Sequence, residues 1–130
     1  MLIGVSHMRA MALRAIQQAV PEPVRVRLLV DTGATSTNVS QGLLSSLGLV
    51  STGSVPVHTA SSGTATVNCD EFDVSLFFPD AQPGGWGFAS VPIIECSPLQ
   101  GPIDGLLGRD ILDRSILTYN PFSNLVTISF

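Results

Sequence analysis

Charge is what this sequence is short of. Asp, Glu, Lys and Arg make up 12% of the chain, against a usual share of about a quarter. Hydrophobic residues make up 45%, so a small domain built from it exposes apolar surface that a partner is expected to cover. The six basic residues are scattered and the formal net charge is −4. No field draws phosphates, which sets nucleic acid aside as a ligand and argues against an anionic membrane surface. Cysteine is scarce as well. Cys69 and Cys96 have 26 residues between them, which is neither a zinc pattern nor a redox C-x-x-C. Both are expected to pack as buried or half-buried thiols. No apolar run approaches the roughly 18 residues of a spanning helix. Arg9 and Arg14 break the N-terminal stretch that a signal peptide would need, so a cytoplasmic location off the membrane is expected. His7 and His58 are the only histidines. There is no H-E-x-x-H, no histidine pair at ligand spacing and no G-x-S-x-G, so neither a metal, a cofactor nor a serine nucleophile is expected. Asp70, Glu71 and Asp73 read as a solvated strand edge, since a calcium loop needs more oxygen ligands at tighter spacing.

What is present is mostly strand signal. Residues 1–130 fit one domain with one core, and no repeat or linker divides them. Val24–Val30 alternates and then turns fully apolar, as a strand entering a core does. Residues 54–59 and 63–68 flank a small-residue turn at Ala60–Ser62, so a hairpin is expected over 55–68. Phe72–Phe78, Trp86–Ile94, Ser115–Tyr119 and Leu125–Phe130 complete the strands. Two or three short helices are expected. One covers Met8–Val20, with Met8, Met11, Ala12, Ala15, Ile16 and Ala19 at helical spacing before Pro21. The second covers Gln41–Leu47, with Ser40 as N-cap and Gly48 closing it. The third is a turn over Arg109–Asp113. Together these predict a mostly β chain: a small closed antiparallel β-barrel with two or three short helices. Trp86 is expected to pack over the barrel rather than line a pocket.

One segment carries chemistry. Leu28-Leu-Val-Asp31-Thr32-Gly33-Ala34 runs a buried strand straight into an acid, a hydroxyl and a glycine. An acid at a strand's end projects into a cleft while its backbone stays fixed. Gly33 permits a close approach of chain or ligand, and Thr32 offers a hydroxyl to lock the loop. Asp-Thr-Gly alone occurs by chance in roughly a few per cent of chains this long, and as an isolated tripeptide it reads as a turn. The second segment, Ile103-Asp104-Gly105-Leu106-Leu107-Gly108-Arg109-Asp110, reads by itself as a strand passing into a helical turn.

Together, Leu29-Val-Asp31-Thr32-Gly33-Ala34 and Leu106-Leu107-Gly108-Arg109-Asp110 resemble the retropepsins, the retroviral-type aspartic peptidases, and most of all their small single-domain bacterial relatives. The resemblance runs from Val24 to Phe130. It implies the retropepsin barrel with a flap hairpin, and peptide hydrolysis with Asp31 as catalytic acid. Thr32, Gly33 and Ala34 would hold the active-site loop, Thr32 through a hydroxyl bond across a dimer axis. Gly33 would present its carbonyl to the substrate backbone. His58, Thr59, Ala60, Ser61, Ser62 and Gly63 would form the flap over a bound peptide. Leu106 and Leu107 would lie near the apolar subsites, and Gly108, Arg109 and Asp110 would buttress the loop. Leu125–Phe130 would join the subunit interface. The 8–20 helix would be an insertion. Thr35 stands where retropepsins often carry an acid that pairs with the arginine, so Asp110 and Asp113 become the expected partners of Arg109. The flap carries the single Gly63 where viral flaps carry several.

Aspartic catalysis needs two carboxylates, and this chain has one Asp-Thr-Gly. Asp104-Gly105 lacks the intervening hydroxyl. A two-fold axis supplies the missing acid, because an isologous dimer sets the same residue on both sides. The expected protein is a homodimeric endopeptidase acting on a protein or peptide. The competing readings are a non-catalytic retropepsin-fold module for dimerisation or peptide binding, and a fragment whose missing regions control assembly.

Overall fold

The computed structural model describes residues 1–58, 66–79, 84–96 and 101–130. Strands account for 48% of them and helices for 17%, so the mostly β expectation holds. In chain order the elements are β1 (Leu2–Val5), α1 (His7–Ala15), β2 (Val24–Arg25), β3 (Leu28–Val30), β4 (Asn38–Ser40), α2 (Gln41–Ser46) and β5 (Gly53–His58). Then follow β6 (Thr66–Phe78), β7 (Trp86–Cys96), β8 (Gly105–Leu107), α3 (Arg109–Leu112), β9 (Ile116–Asn120) and β10 (Leu125–Ser129). Among the described residues no helix is long and apolar enough to cross a membrane.

One curled half-barrel sheet runs in the order β2-β1-β6-β7-β4-β8-β3, with β5 added on β6. The expected mostly antiparallel pairing holds, but two ladders, β3 with β8 and β4 with β7, are parallel. The reason is topological. Parallel neighbours cannot be joined by a tight turn, and β3 meets β8 only after four strands and a helix have intervened. The two ends of the sheet, β2 and β3, belong to one segment. The expected continuous strand over 24–30 breaks at Val26 and Arg27 because the segment changes partners there. Val26 N–H donates to the Met1 carbonyl (3.0 Å), and Arg27 N–H donates to Asp104 Oδ2 (2.8 Å). The curl is thus bridged by two residues of chain rather than by a ladder.

β6 is the longest strand and unites what the sequence reads as two. It pairs with β5 over Thr66–Glu71, with β7 over Glu71–Phe78 and with β1 over Val74–Phe77. Its alternate residues Phe72, Val74 and Leu76 enter the core with Ile3, Val39, Leu44, Leu47, Ile93 and Ile111. Full burial of each such side chain stabilises by about 1.5–3 kcal/mol relative to exposure.

The first helix differs from its expected form. It spans His7–Ala15, capped by Ser6, whose Oγ accepts from Arg9 N–H. It ends well short of Pro21, because Gln17 adopts φ 58°. Gln17 and Gln18 N–H then bond back to the Arg14 and Leu13 carbonyls, the paired closure of a Schellman motif. The buried face is Ala10 and Leu13, whereas Met8, Met11 and Ile16 are more than half exposed. The apolar stripe marked the helix but not its inner face. α2 and α3 lie where the sequence predicts them, within a residue at their C-terminal ends. β9 and β10 form a separate hairpin. Past it, Phe130 stacks on Trp86 at 4.0 Å and touches Phe78 and Phe88. Trp86 is a packing residue, as expected.

Candidate active site

β3 and β8 run side by side, with Leu28 opposite Gly105 and Val30 opposite Leu107. Asp31 leaves at the end of this pair, its N–H donating to the Leu107 carbonyl (3.1 Å). A tight turn follows. Gly33 N–H donates to Asp31 Oδ1 (2.8 Å) and Ala34 N–H donates to the Asp31 carbonyl (3.2 Å). The carboxylate is therefore oriented by its own loop. Thr32 and Gly33 are exposed, and Asp31 is half-buried. The Ala34 and Thr35 carbonyls then accept from Arg109 and Asp110 N–H, at 2.9 and 3.2 Å. The loop is thus laced to the start of α3.

Behind the loop sits a residue that sequence reasoning did not single out. Thr37 is fully buried. Its hydroxyl donates to Asp110 Oδ1 (2.7 Å) and accepts from Gly108 N–H (3.0 Å). Its N–H donates to both Asp110 oxygens, at 3.0 and 2.9 Å. Ile111 N–H also donates to Asp110 Oδ1 (3.0 Å). Asp110 therefore serves Thr37 and its own helix. The expected pairing of Asp110 with Arg109 is corrected on that ground, and Arg109 itself is exposed. Thr35, the other hydroxyl of this run, is exposed. Nothing in the run Thr35-Ser-Thr-Asn38 distinguishes the buried threonine, because its partner lies 73 positions away.

Two glycines make this crossing possible. A Cβ on Gly105 would collide with the Asn38 carbonyl, and one on Gly108 would lie 2.5 Å from the Ser36 carbonyl carbon. Either addition lies inside hard-sphere contact, so the backbones could no longer meet. Asn38 adds a side-chain bond, Oδ1 accepting from Leu106 N–H (3.2 Å).

Asp31 opens into a groove of about 770 Å³. Gly33 and Ala34 line it on the loop side, with Leu106 from β8 and Asp110 from α3. Across from them β5 contributes Val55, Val57 and His58, and Glu71 and Ile94 come from β6 and β7. Leu107 is buried in the core at 4% exposure, and so backs the loop rather than facing the groove. Of the expected flap, β5 and β6 pair from Gly53–Glu71 to His58–Thr66. Thr59, Ala60, Ser61, Ser62 and Gly63 lie outside the described residues. The lining residues Val55, Val57, Glu71 and Ile94 were not foreseen as such. Their alternation marks strands, but only the register places them beside Asp31.

A single chain thus presents one loop carboxylate, fixed by a glycine N–H and opening on a groove lined by both aliphatic and polar side chains. A family model described as aspartyl protease matches residues 18–111 of the chain. No curated protein and no solved structure matches it.

Proposed function

The chain belongs to the aspartyl protease family, within the retropepsin-like clan, and from that premise we propose that it is an endopeptidase whose catalytic pair is Asp31 and the same residue of a second copy. The observation that carries this reading is the setting of Asp31. It ends the parallel β3–β8 pair, its carboxylate accepts from Gly33 N–H, and it faces the groove.

The chemistry follows from bringing two such loops together. Carboxylates about 3 Å apart cannot both ionise and so share one proton. The ionised member takes a proton from a water as that water attacks the scissile carbon. The protonated member donates to the carbonyl oxygen. A tetrahedral gem-diol results, with no covalent bond to the protein, and it collapses as the leaving nitrogen is protonated. The pair titrates as a unit, so its apparent pKa values belong to neither residue alone.

The exposure pattern supports self-association. Thr32 and Gly33 are exposed at the loop, and Leu29 beside it is 50% exposed. The β9–β10 hairpin exposes Ile116 and Leu125 on one face, Tyr119 and Val126 on the other, and Phe122 in its turn. In this reading Thr32 bonds across the two-fold axis, and the Gly33 carbonyl receives the substrate backbone. The hairpin that includes His58, Thr59, Ala60, Ser61, Ser62 and Gly63 covers an extended peptide. Val55, Val57, Ile94 and Leu106 select apolar side chains, with Glu71 the one groove acid left over once Asp31 and Asp110 are occupied. Gly108, Arg109 and Asp110 hold the loop from behind.

The test pairs sedimentation with a peptide-library digest. Dimers that cleave, are blocked by a gem-diol mimic and lose cleavage in Asp31→Asn meet the proposal. Turnover that survives Asp31→Asn, or that belongs to a monomer, refutes it. Dimers that bind peptides without cleaving them would instead establish a non-catalytic binding module.

A further inference from the structure

The two cysteines are distant in sequence but not in the sheet. β6 and β7 run antiparallel with Glu71 opposite Ile94, Phe72 opposite Ile93 and Asp73 opposite Pro92. The ladder as paired ends at Glu71 and Ile94; carrying its register two residues further would set Cys69 opposite Cys96. The kind of pair follows from where the backbone groups point. Ile94 N–H donates to Thr37 on the β4 side (3.1 Å), and the Glu71 carbonyl accepts from Thr52 N–H on the β5 side (2.8 Å). Each residue turns its polar backbone away from the other, so Glu71 and Ile94 form a non-hydrogen-bonded pair. A step of two preserves the type. In such pairs the Cα atoms lie about 4.5 Å apart and the side chains leave the same face. That separation falls within the roughly 4.4–6.8 Å that a disulfide spans. Both thiols are free and half-buried. Burial, and then the neighbouring Cys69 and Glu95, push the Cys96 thiol above its ordinary range.

The position of this pair has a mechanical meaning. β6 pairs with β7 only from Glu71 onward, and with β5 from Glu71 back to Thr66. Among the described residues, β5 and the first part of β6 therefore form a two-stranded arm that projects beyond its last β7 partner. Val55, Val57 and His58 ride on that arm and line the groove. We propose that Cys69 and Cys96 form a reversible disulfide that fastens this arm to β7. The bond moves the arm's attachment outward from Glu71 to Cys69 and shortens its free length.

The oxidant is a small disulfide such as oxidised glutathione. One cysteine thiolate attacks it, forming a mixed disulfide and releasing one glutathione thiolate. The other cysteine then attacks the protein sulfur of that mixed disulfide and releases the second. Two protein thiols and one glutathione disulfide become one protein disulfide and two glutathione thiols. Two-electron reduction reverses the exchange.

The test needs no peptidase assay. The reduced full chain is incubated with excess oxidised glutathione and examined by mass spectrometry and hydrogen exchange. The expected product has lost two hydrogens, leaves no thiol for iodoacetamide even when unfolded, and yields one linked peptide containing Cys69 and Cys96. Amides of residues 66–70 exchange several-fold more slowly in it, and dithiothreitol restores both mass and exchange. Cys69→Ser and Cys96→Ser each stop at a single glutathione adduct. A chain carrying two glutathiones, a bond between copies in place of the internal one, or an internal bond that leaves exchange in the arm unchanged would overturn the proposal.

Discussion

Thr37→Val removes one hydroxyl and little volume, and its cost can be worked from the site. The hydroxyl makes two bonds, donating to the Asp110 carboxylate and accepting from the Gly108 N–H. A bond to a charged group contributes about 1.5–3 kcal/mol, and a buried N–H left without a partner costs about 1–3 kcal/mol. Thr37 N–H still reaches both Asp110 oxygens in the variant, which keeps that carboxylate partly satisfied. The expected loss is about 2–4 kcal/mol, a large share of the 5–15 kcal/mol that holds a typical domain. With a urea slope of about 1–3 kcal/mol per molar, the midpoint falls by roughly 1–2 M. The assay is urea unfolding at fixed chain concentration, since a dimer's midpoint depends on it. Trp86, the single tryptophan, reports by fluorescence and the strands by far-ultraviolet dichroism. Thr37→Ser keeps the hydroxyl and should lose less than half as much. Equal losses in Val and Ser would place the energy in the methyl group rather than the hydroxyl. A Val variant as stable as the wild type would refute the buttress altogether.

Three further outcomes are expected. Asp31→Asn should lower peptide cleavage by about 10²–10⁴-fold or more, while its dichroism spectrum and sedimentation coefficient match the wild type. Gly105→Ala should cost at least the 1–3 kcal/mol typical of overpacking, because its methyl meets the Asn38 backbone, and a thermal melt with Tm unchanged would contradict that crossing. The reduced chain should lose stability as pH rises past the ordinary thiol value of 9.0. Cys96 is held protonated in the fold but ionises in the unfolded chain, so its contribution is full below that pH and lost through the folded-state value above it. Cys96→Ala should flatten this alkaline slope in urea titrations run across pH 8–10.

How much could be read beforehand depended on whether the cause was local. α2 was legible because Ser40 and Gly48 sit at its ends, and Gly48 takes φ 60° as a closing glycine does. The strand into Asp31 was legible because an apolar run ending in an acid needs no partner to be noticed. α1 was legible as a helix, but its buried face was not. Met8, Met11 and Ile16 form the more apolar stripe, yet Ala10 and Leu13 are the pair the sheet covers. The parallel pairing of β3 with β8 was not legible, since strand sequences carry no direction. Thr37 was invisible among neighbouring hydroxyls until the fold brought Asp110 to it. The groove wall of Val55, Val57, Glu71 and Ile94 likewise depends on register across separate strands.

The arrangement of β3 governs when the acid can be placed. Among the described residues its one ladder partner is β8, so Leu28–Val30 has nothing to pair with until Gly105–Leu107 exists. During synthesis, a ribosome that has delivered only the first hundred residues has made Asp31 but not the strand that aims it. Contacts this distant close slowly, and the loop can be organised only after Gly105–Leu107 has been made. A truncated product ending before Leu107 would therefore carry the acid as a solvated side chain on a loose segment, with neither groove nor buttress.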